Sequence, residues 1–226
     1  MLIVGGPGNG SVNAAPSRRR PVAEPRLPCY FAGMKQRDLF LEADAALRSV
    51  IDRLTPEHLA LIAPADWSRT PNPTLRDILA YHAFDEAWVP DVLAGRTIDE
   101  VGTIHDGDLL GDDPIASYDR INDRATAAVN ADLDPDKIVH LSYGDFALAE
   151  FLQHVSVYRA FQAWSIAHFL GLEFSLGDSL VETLWDQVVP QVGEWRTMGV
   201  FPPAVSTPEG ADRETELLAM TGYWSA

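Results

Sequence analysis

The sequence predicts an all-α protein, a four-helix bundle with additional short helices, and three observations carry that prediction. Apolar residues recur every three or four positions in four long stretches, the spacing of one buried helical stripe. Thr, Asp and Pro residues that start helices, and glycines that stop them, fall at the ends of those stretches. A chain of 226 residues, 46% of them hydrophobic, also has enough apolar material for one sizeable core.

The first long helix spans Gln36 to Leu54, with Phe40, Ala43, Leu47, Val50, Ile51 and Leu54 on one face. Thr55-Pro56 supplies an N-cap and a first-turn proline for a short helix ending near Ile62. Pro64, Pro71 and Pro73 then enforce an irregular connection. Thr74 with Asp77 forms a capping-box pattern and launches the second long helix, which carries Leu75, Ile78, Leu79, His82, Val89 and Leu93, with Pro90 expected to kink or split its last turns. Residues 95–112, rich in Gly and Asp, read as a loop with one short turn. Asp113-Pro114 opens the third helix, with Ile115, Tyr118, Ile121, Ala125 and Ala128 in register. A weak alternation over Lys137 to Tyr143 predicts extended chain, and Asp145 is the expected N-cap of a fourth long helix that stops at Gly171. A fifth helix, Ser179 to Trp195, is built on Leu180, Leu184, Trp185, Val188 and Val192, with a kink expected at Pro190. The proline-rich run Pro202 to Pro208 precedes a short helix from Asp212 to Met220, stopped by Gly222.

Residues 1–33 differ from everything that follows. Gly5-Gly6-Pro7-Gly8, Arg18 to Arg20 and prolines at 21, 25 and 28 cannot build a core face, so this segment reads as a disordered tail or a mis-assigned start. Met34 is the alternative start, and residues 34–226 form the predicted domain. The formal charge of −16 leaves no clustered basic surface for nucleic acid. No apolar run approaches the roughly 18 residues of a membrane span. The one cysteine, Cys29, cannot pair within the chain, which points to the reducing cytoplasm.

The chemistry-bearing pattern is an interruption of two apolar faces. In the fourth helix Leu148, Phe151, Leu152, Val155, Ile166 and Phe169 form an arc at 100 degrees per residue, in which Arg159 and Gln162 fall, with Tyr158 at its edge. In the second helix His82 and Glu86, one turn apart, interrupt Leu75, Ile78, Leu79, Val89 and Leu93. Polar groups on a core face cost free energy unless they find partners, so these residues imply a polar cluster centred on His82. Three arrangements satisfy the pattern. In one, His154 joins His82 and Glu86 in a His/His/Glu metal site. In another, Arg159 pairs with Glu86 while His82, Tyr158 and Gln162 complete a hydrogen-bonded network. In the third, Arg159 and Glu86 reach solvent and His82 is an ordinary core histidine.

Asp66-Trp67, the stretch Thr74-Leu75-Arg76-Asp77-Ile78-Leu79-Ala80-Tyr81-His82, the run Ala163-Trp164-Ser165-Ile166-Ala167 with Gly171, and the ending Leu217-Leu218-Ala219-Met220-Thr221-Gly222 together resemble the DinB/YfiT-like superfamily. Within it they resemble the actinobacterial group related to mycothiol-dependent maleylpyruvate isomerase, over roughly residues 36 to 222. The resemblance implies a DinB-like four-helix bundle holding a divalent metal, Zn or Ni, through one histidine of the second helix and a Glu or His followed four residues later by His on the long helix. His82 stands at the first ligand position, but Tyr158 and Gln162 occupy the other two. Amide and neutral phenol are poor ligands for such metals.

Two functional expectations follow. One is a non-metal or weakly metal-binding module, whose pocket of Glu86, Tyr158, Arg159 and Gln162 takes a small anionic ligand or a thiol, or a protein that acts through interactions, including as a homodimer. The other is a metal-dependent, mycothiol-using transferase or isomerase with His82 as ligand. Elsewhere His58 and His140 read as surface or capping residues, His105 as part of a solvated acidic loop in preference to a weak cation site, and His168 as exposed or at an interface. Gly5-Gly6-Pro7-Gly8 lacks the lysine and helix of a phosphate loop.

Overall fold

The computed structural model describes residues 29–129 and 132–224, with a chain that is mostly helical. Of the tail expected over residues 1–33, residues 1–28 lie outside the described residues, and residues 29–33 are instead the first turns of a helix. Helix α1 (Cys29–Ile51) starts several residues before Gln36, because the run after Pro28 contains nothing that forbids helix, and the periodic face begins only where the core does. Leu39, Phe40, Ala43, Leu47, Val50 and Ile51 of this helix are buried. Thr55 caps the short α2 (Pro56–Leu59), with the His58 ring accepting from the Thr55 amide. Past a 3-10 turn at Ala65–Trp67, backbone bonds from Ala63 to Pro73 and from Leu75 to Leu61 lock the proline-rich connection to the start of the next helix.

Helix α3 (Leu75–Ala94) opens on the expected capping box, with Thr74 and Asp77 bonding each other's backbone amides. It runs on through Pro90 unbroken. Proline's missing N–H removes the bond that would close on the carbonyl of Glu86, so the ladder is weakened there rather than at the helix end. Gly95 ends α3 at φ +81. The 95–112 loop contains α4 (Ile98–Val101), and α5 (Pro114–Ala128) begins at Asp113 as expected.

The expectation for residues 137–147 needs correction. Extended chain is present as β1 (Ile138–Leu141), but it pairs with a second strand, β2 (Gly144–Ala147), in an antiparallel hairpin. Asp145 therefore faces His140 across the hairpin, at 2.7 Å, and does not cap a helix. Helix α6 (Leu148–Phe169) starts after it, with Glu150 reaching back to the amide of Ala147. The remaining helices are α7 (Asp178–Val188), α8 (Val192–Thr197) and α9 (Arg213–Thr221). The kink expected at Pro190 is a 3-10 turn, Val189–Gln191, that separates α7 from α8. Gly222 closes α9 at φ +84, and a side chain there would meet the Pro203 carbonyl at 2.6 Å.

Helix α6 packs along α1, and α3 packs along α5, with α1 also meeting α5. The core divides accordingly. Val155 and Ile166 of α6 face the apolar layers shared by α1, α3 and α5, whereas Val157, Ala160, Phe161 and Trp164 face α7 to α9. So α6 is buried around most of its circumference, and the single arc read from sequence describes only one of its two buried faces. Phe169, placed in that arc, is 38% exposed at the helix end beside Trp67. Among the described residues no helix is long and apolar enough to cross a membrane.

Candidate functional site

Arg159 sits at the centre of the molecule. Its side chain projects from α6 toward α3 and α1 and is 1% exposed, the same as Glu86. The Nε of Arg159 donates to Glu86 Oε1 at 2.7 Å, and its Nη2 lies 2.7 Å from the same oxygen without hydrogen-bond alignment. Nη1 donates to the Val155 carbonyl at 3.1 Å, and the Phe40 ring lies 4.8 Å below the guanidinium carbon. This is the Arg159–Glu86 pair of the second of the three arrangements that the interrupted faces allow.

A second acid completes the cluster, and sequence reasoning missed it. Asp44 of α1, 3% exposed, places Oδ1 at 3.5 Å from Arg159 Nε. The same carboxylate accepts from Asn122 Nδ2 at 2.7 Å and from Thr126 Oγ1 at 2.8 Å, both on α5. Asn122 in turn accepts from Arg48 at 3.1 Å, so a polar thread runs from the surface to the buried guanidinium. Asp44 lies one turn after Phe40 and two before Ile51, both buried, so the helical wheel that isolates Arg159 on α6 also carries a signal for Asp44 on α1.

One guanidinium balances one negative charge, while two carboxyls surround it in a water-poor interior. Burial pushes the Glu86 carboxyl up to about 8, a shift that Arg159 opposes and that the neighbouring Asp44 charge reinforces. Burial works against the Arg159 charge, but Glu86 and Asp44 more than offset it and hold the guanidinium protonated. Glu86 Oε2 has no hydrogen-bond partner among the described residues, which makes it the natural carrier of a proton. The Tyr118 hydroxyl, also buried and without a hydrogen-bond partner among the described residues, is held neutral by burial and by the two acids.

One turn away on the same two helices lies a region of different character. His82, 1% exposed, stacks on Tyr158 with ring centroids 5.0 Å apart. Its Nε2 is unpartnered among the described residues, as is Nε2 of Gln162, one turn beyond Tyr158 and 7% exposed. Burial first, and the Arg159 charge second, drive the His82 imidazole well below its ordinary value, so it is neutral. Burial likewise holds the Tyr158 phenol far above its ordinary range. The expected hydrogen-bonded network of His82, Tyr158 and Gln162 with the ion pair is thus only half present: the charged half is bonded, and two amide and imidazole nitrogens of the neutral half are not.

His154 belongs to neither region. It packs edge-on against Phe146 and Trp195, at 5.3 and 5.6 Å, with its Nδ1 3.4 Å from the Tyr143 hydroxyl. The hairpin that sequence patterning under-read draws it to that corner. Among the described residues no three His, Cys, Asp or Glu side chains are grouped to hold a metal ion, so His82, Glu86 and His154 do not form the shifted ligand set. Of the other histidines, His105 is no solvated-loop residue: it bonds Asp91 at 2.8 Å and packs on Trp88, pinning the 95–112 loop to α3. His168 is exposed and stacks on Trp164.

Comparison of the chain with protein-family models, with curated proteins and with solved structures finds no match.

Proposed function

We propose that this chain is a DinB-like, maleylpyruvate isomerase-like four-helix bundle whose metal position has been given over to side chains, and that it works as a non-metal small-ligand or interaction module. The observation that carries this reading is the Arg159 guanidinium, fully buried between Glu86 and Asp44. A permanent cation in that place repels a divalent metal held nearby, and it engages Glu86, the carboxylate of the alternative His/His/Glu set. The donor set at the position implied by the resemblance, namely His82, Tyr158 and Gln162, offers one imidazole, a neutral phenol and an amide, which does not suit Zn or Ni.

The ligand-facing part of this site is its neutral half. Arg159 already faces two acids and is sealed from solvent, so an anion gains little from it. His82 Nε2 and Gln162 Nε2 are instead available to a small polar group lying over the Tyr158 ring. A second reading, a metal-dependent thiol (mycothiol) transferase or isomerase, is favoured by one observation: the free Nε2 of a neutral His82 is a competent ligand atom.

Metal analysis of protein purified without a histidine tag, beside His82→Ala, separates the two. The module reading predicts far less than one metal per chain in both proteins and a melting temperature indifferent to chelator. Stoichiometric Zn or Ni that disappears in His82→Ala would overturn it.

A further inference from the structure

Away from the buried cluster, α5 and the 95–112 loop enclose an open-sided groove of about 630 Å³. One wall is a single stripe of α5, Ser117, Arg120, Ile121 and Arg124, at positions i, i+3, i+4 and i+7. The other wall is Asp108 and Leu109.

Two arginines one helical turn apart share this groove without an acid between them. With a formal charge of −16, acids are plentiful; Arg53, Arg69 and Arg196 form no ion pair among the described residues, but Arg48 pairs with Asp119 and Asp123, Arg96 with Asp91, and Arg213 with Glu182 and Glu216. Arg120 and Arg124 do not. Among the described residues Arg120 bonds only the Ser117 hydroxyl, at 2.9 Å, and Arg124 has no hydrogen bond or ion pair. Asp108, the acid on the opposite wall, is already committed: it accepts from Arg76 on both oxygens and from the amides of Leu110 and Gly111. Two like charges one helical turn apart repel, so the stripe is locally unfavourable as it stands and improves when an anion bridges it. Beneath the guanidinium groups lie Ile121, 6% exposed, and the half-buried Leu109.

We propose that this groove is a binding site for a small organic carboxylate with an apolar body. Arg120 and Arg124 take the carboxylate through charge-assisted bonds, the Ser117 hydroxyl donates a further one, and Leu109 and Ile121 cover the apolar part. Bare phosphate meets the same charges but leaves the apolar floor unused, and a neutral amide of the same shape meets the floor alone. The site is independent of the His82 region and of the function proposed for it.

An amide-resolved NMR titration of the full chain at low ionic strength tests this, with phenylacetate, phenylacetamide and inorganic phosphate as separate probes. Phenylacetate is expected to shift the amides of residues 109 and 117–124 with an affinity in the millimolar range or tighter. Arg124→Gln and Arg120→Gln, surface changes that leave the remaining spectrum in place, are each expected to weaken it at least about tenfold, the loss of one charge-assisted bond. Phenylacetamide and phosphate are expected to bind more weakly than phenylacetate. The proposal fails if phenylacetate shifts nothing in the groove, if phosphate binds there as tightly, or if the glutamine variants bind phenylacetate like the parent.

Discussion

The two polar regions between α3 and α6 lie one helical turn apart and are buried to the same depth, yet they have opposite relations to their surroundings. Around Arg159 every charge is answered, by Glu86, by Asp44 and through Asp44 by Asn122 and Thr126. Around His82 no ion pair forms, although the Arg159 charge acts on the imidazole and the buried Asp85 on the Tyr158 phenol, and the imidazole and the Gln162 amide each keep a nitrogen unpartnered among the described residues. A buried charge without a partner costs several kcal/mol, whereas a neutral polar group without one costs about 1 to 3. The fold can thus leave the second region unfilled but not the first. The difference suits the guanidinium cluster to architecture, and it is to the His82 side that the proposed ligand binding belongs.

Breaking the charged half has the largest expected effect. Glu86→Ala removes the acceptor of Arg159 Nε and leaves a cavity, and should be about 2 to 5 kcal/mol less stable than Glu86→Gln in urea unfolding. Glu86→Gln, which mimics the protonated acid and needs no proton uptake on folding, should be at least as stable as the parent near neutral pH. Equal losses in the two variants would mean that Glu86 is ionised and that the cluster carries an uncompensated negative charge. Asp44→Ala orphans the donors on Asn122 and Thr126 and should cost about 1 to 3 kcal/mol. The smallest effect belongs to the neutral half. Gln162→Met and His82→Phe remove unpartnered nitrogens at near-constant volume and should change stability by less than about 1.5 kcal/mol. Losses there as large as that of Glu86→Ala would erase the distinction between the regions.

The sequence made this cluster visible from one side only. Arg159 and Glu86 stand out because each interrupts a long apolar face, and a buried arginine requires an acid within reach. Asp44 interrupts the α1 face in the same way, but a single aspartate on a helix with many polar neighbours reads as part of the solvated side until its donors on α5 are known. Those donors are long-range, and no local pattern links residue 44 to 122 and 126. The hairpin failed for a different reason. Gly144-Asp145-Phe146-Ala147 offers a helix cap and a strand with equal local merit, and only pairing with Ile138–Leu141 decides between them. That decision then moved His154 into an aromatic corner, away from His82, and no wheel drawn on α6 alone contains it. Elements stated by local chemistry, such as the Thr74 capping box and the break at Pro190, were legible throughout.

The most direct test of the guanidinium-centred cluster is the stability of the parent protein and of Glu86→Gln measured side by side from pH 6 to 9. In the folded state the Glu86 carboxyl is raised to about 8, above its ordinary 4.5, so its proton stabilises the fold fully below pH 4.5. That contribution is lost as pH rises through 8. His82 works in the opposite sense, losing stability as pH falls below its ordinary 6.5, but it is present in both proteins and cancels in the difference. The parent should therefore lose stability relative to Glu86→Gln by up to roughly 1.4 kcal/mol per pH unit, levelling off above pH 8. Parallel curves across the whole range would contradict a proton-carrying Glu86 at the centre of the molecule.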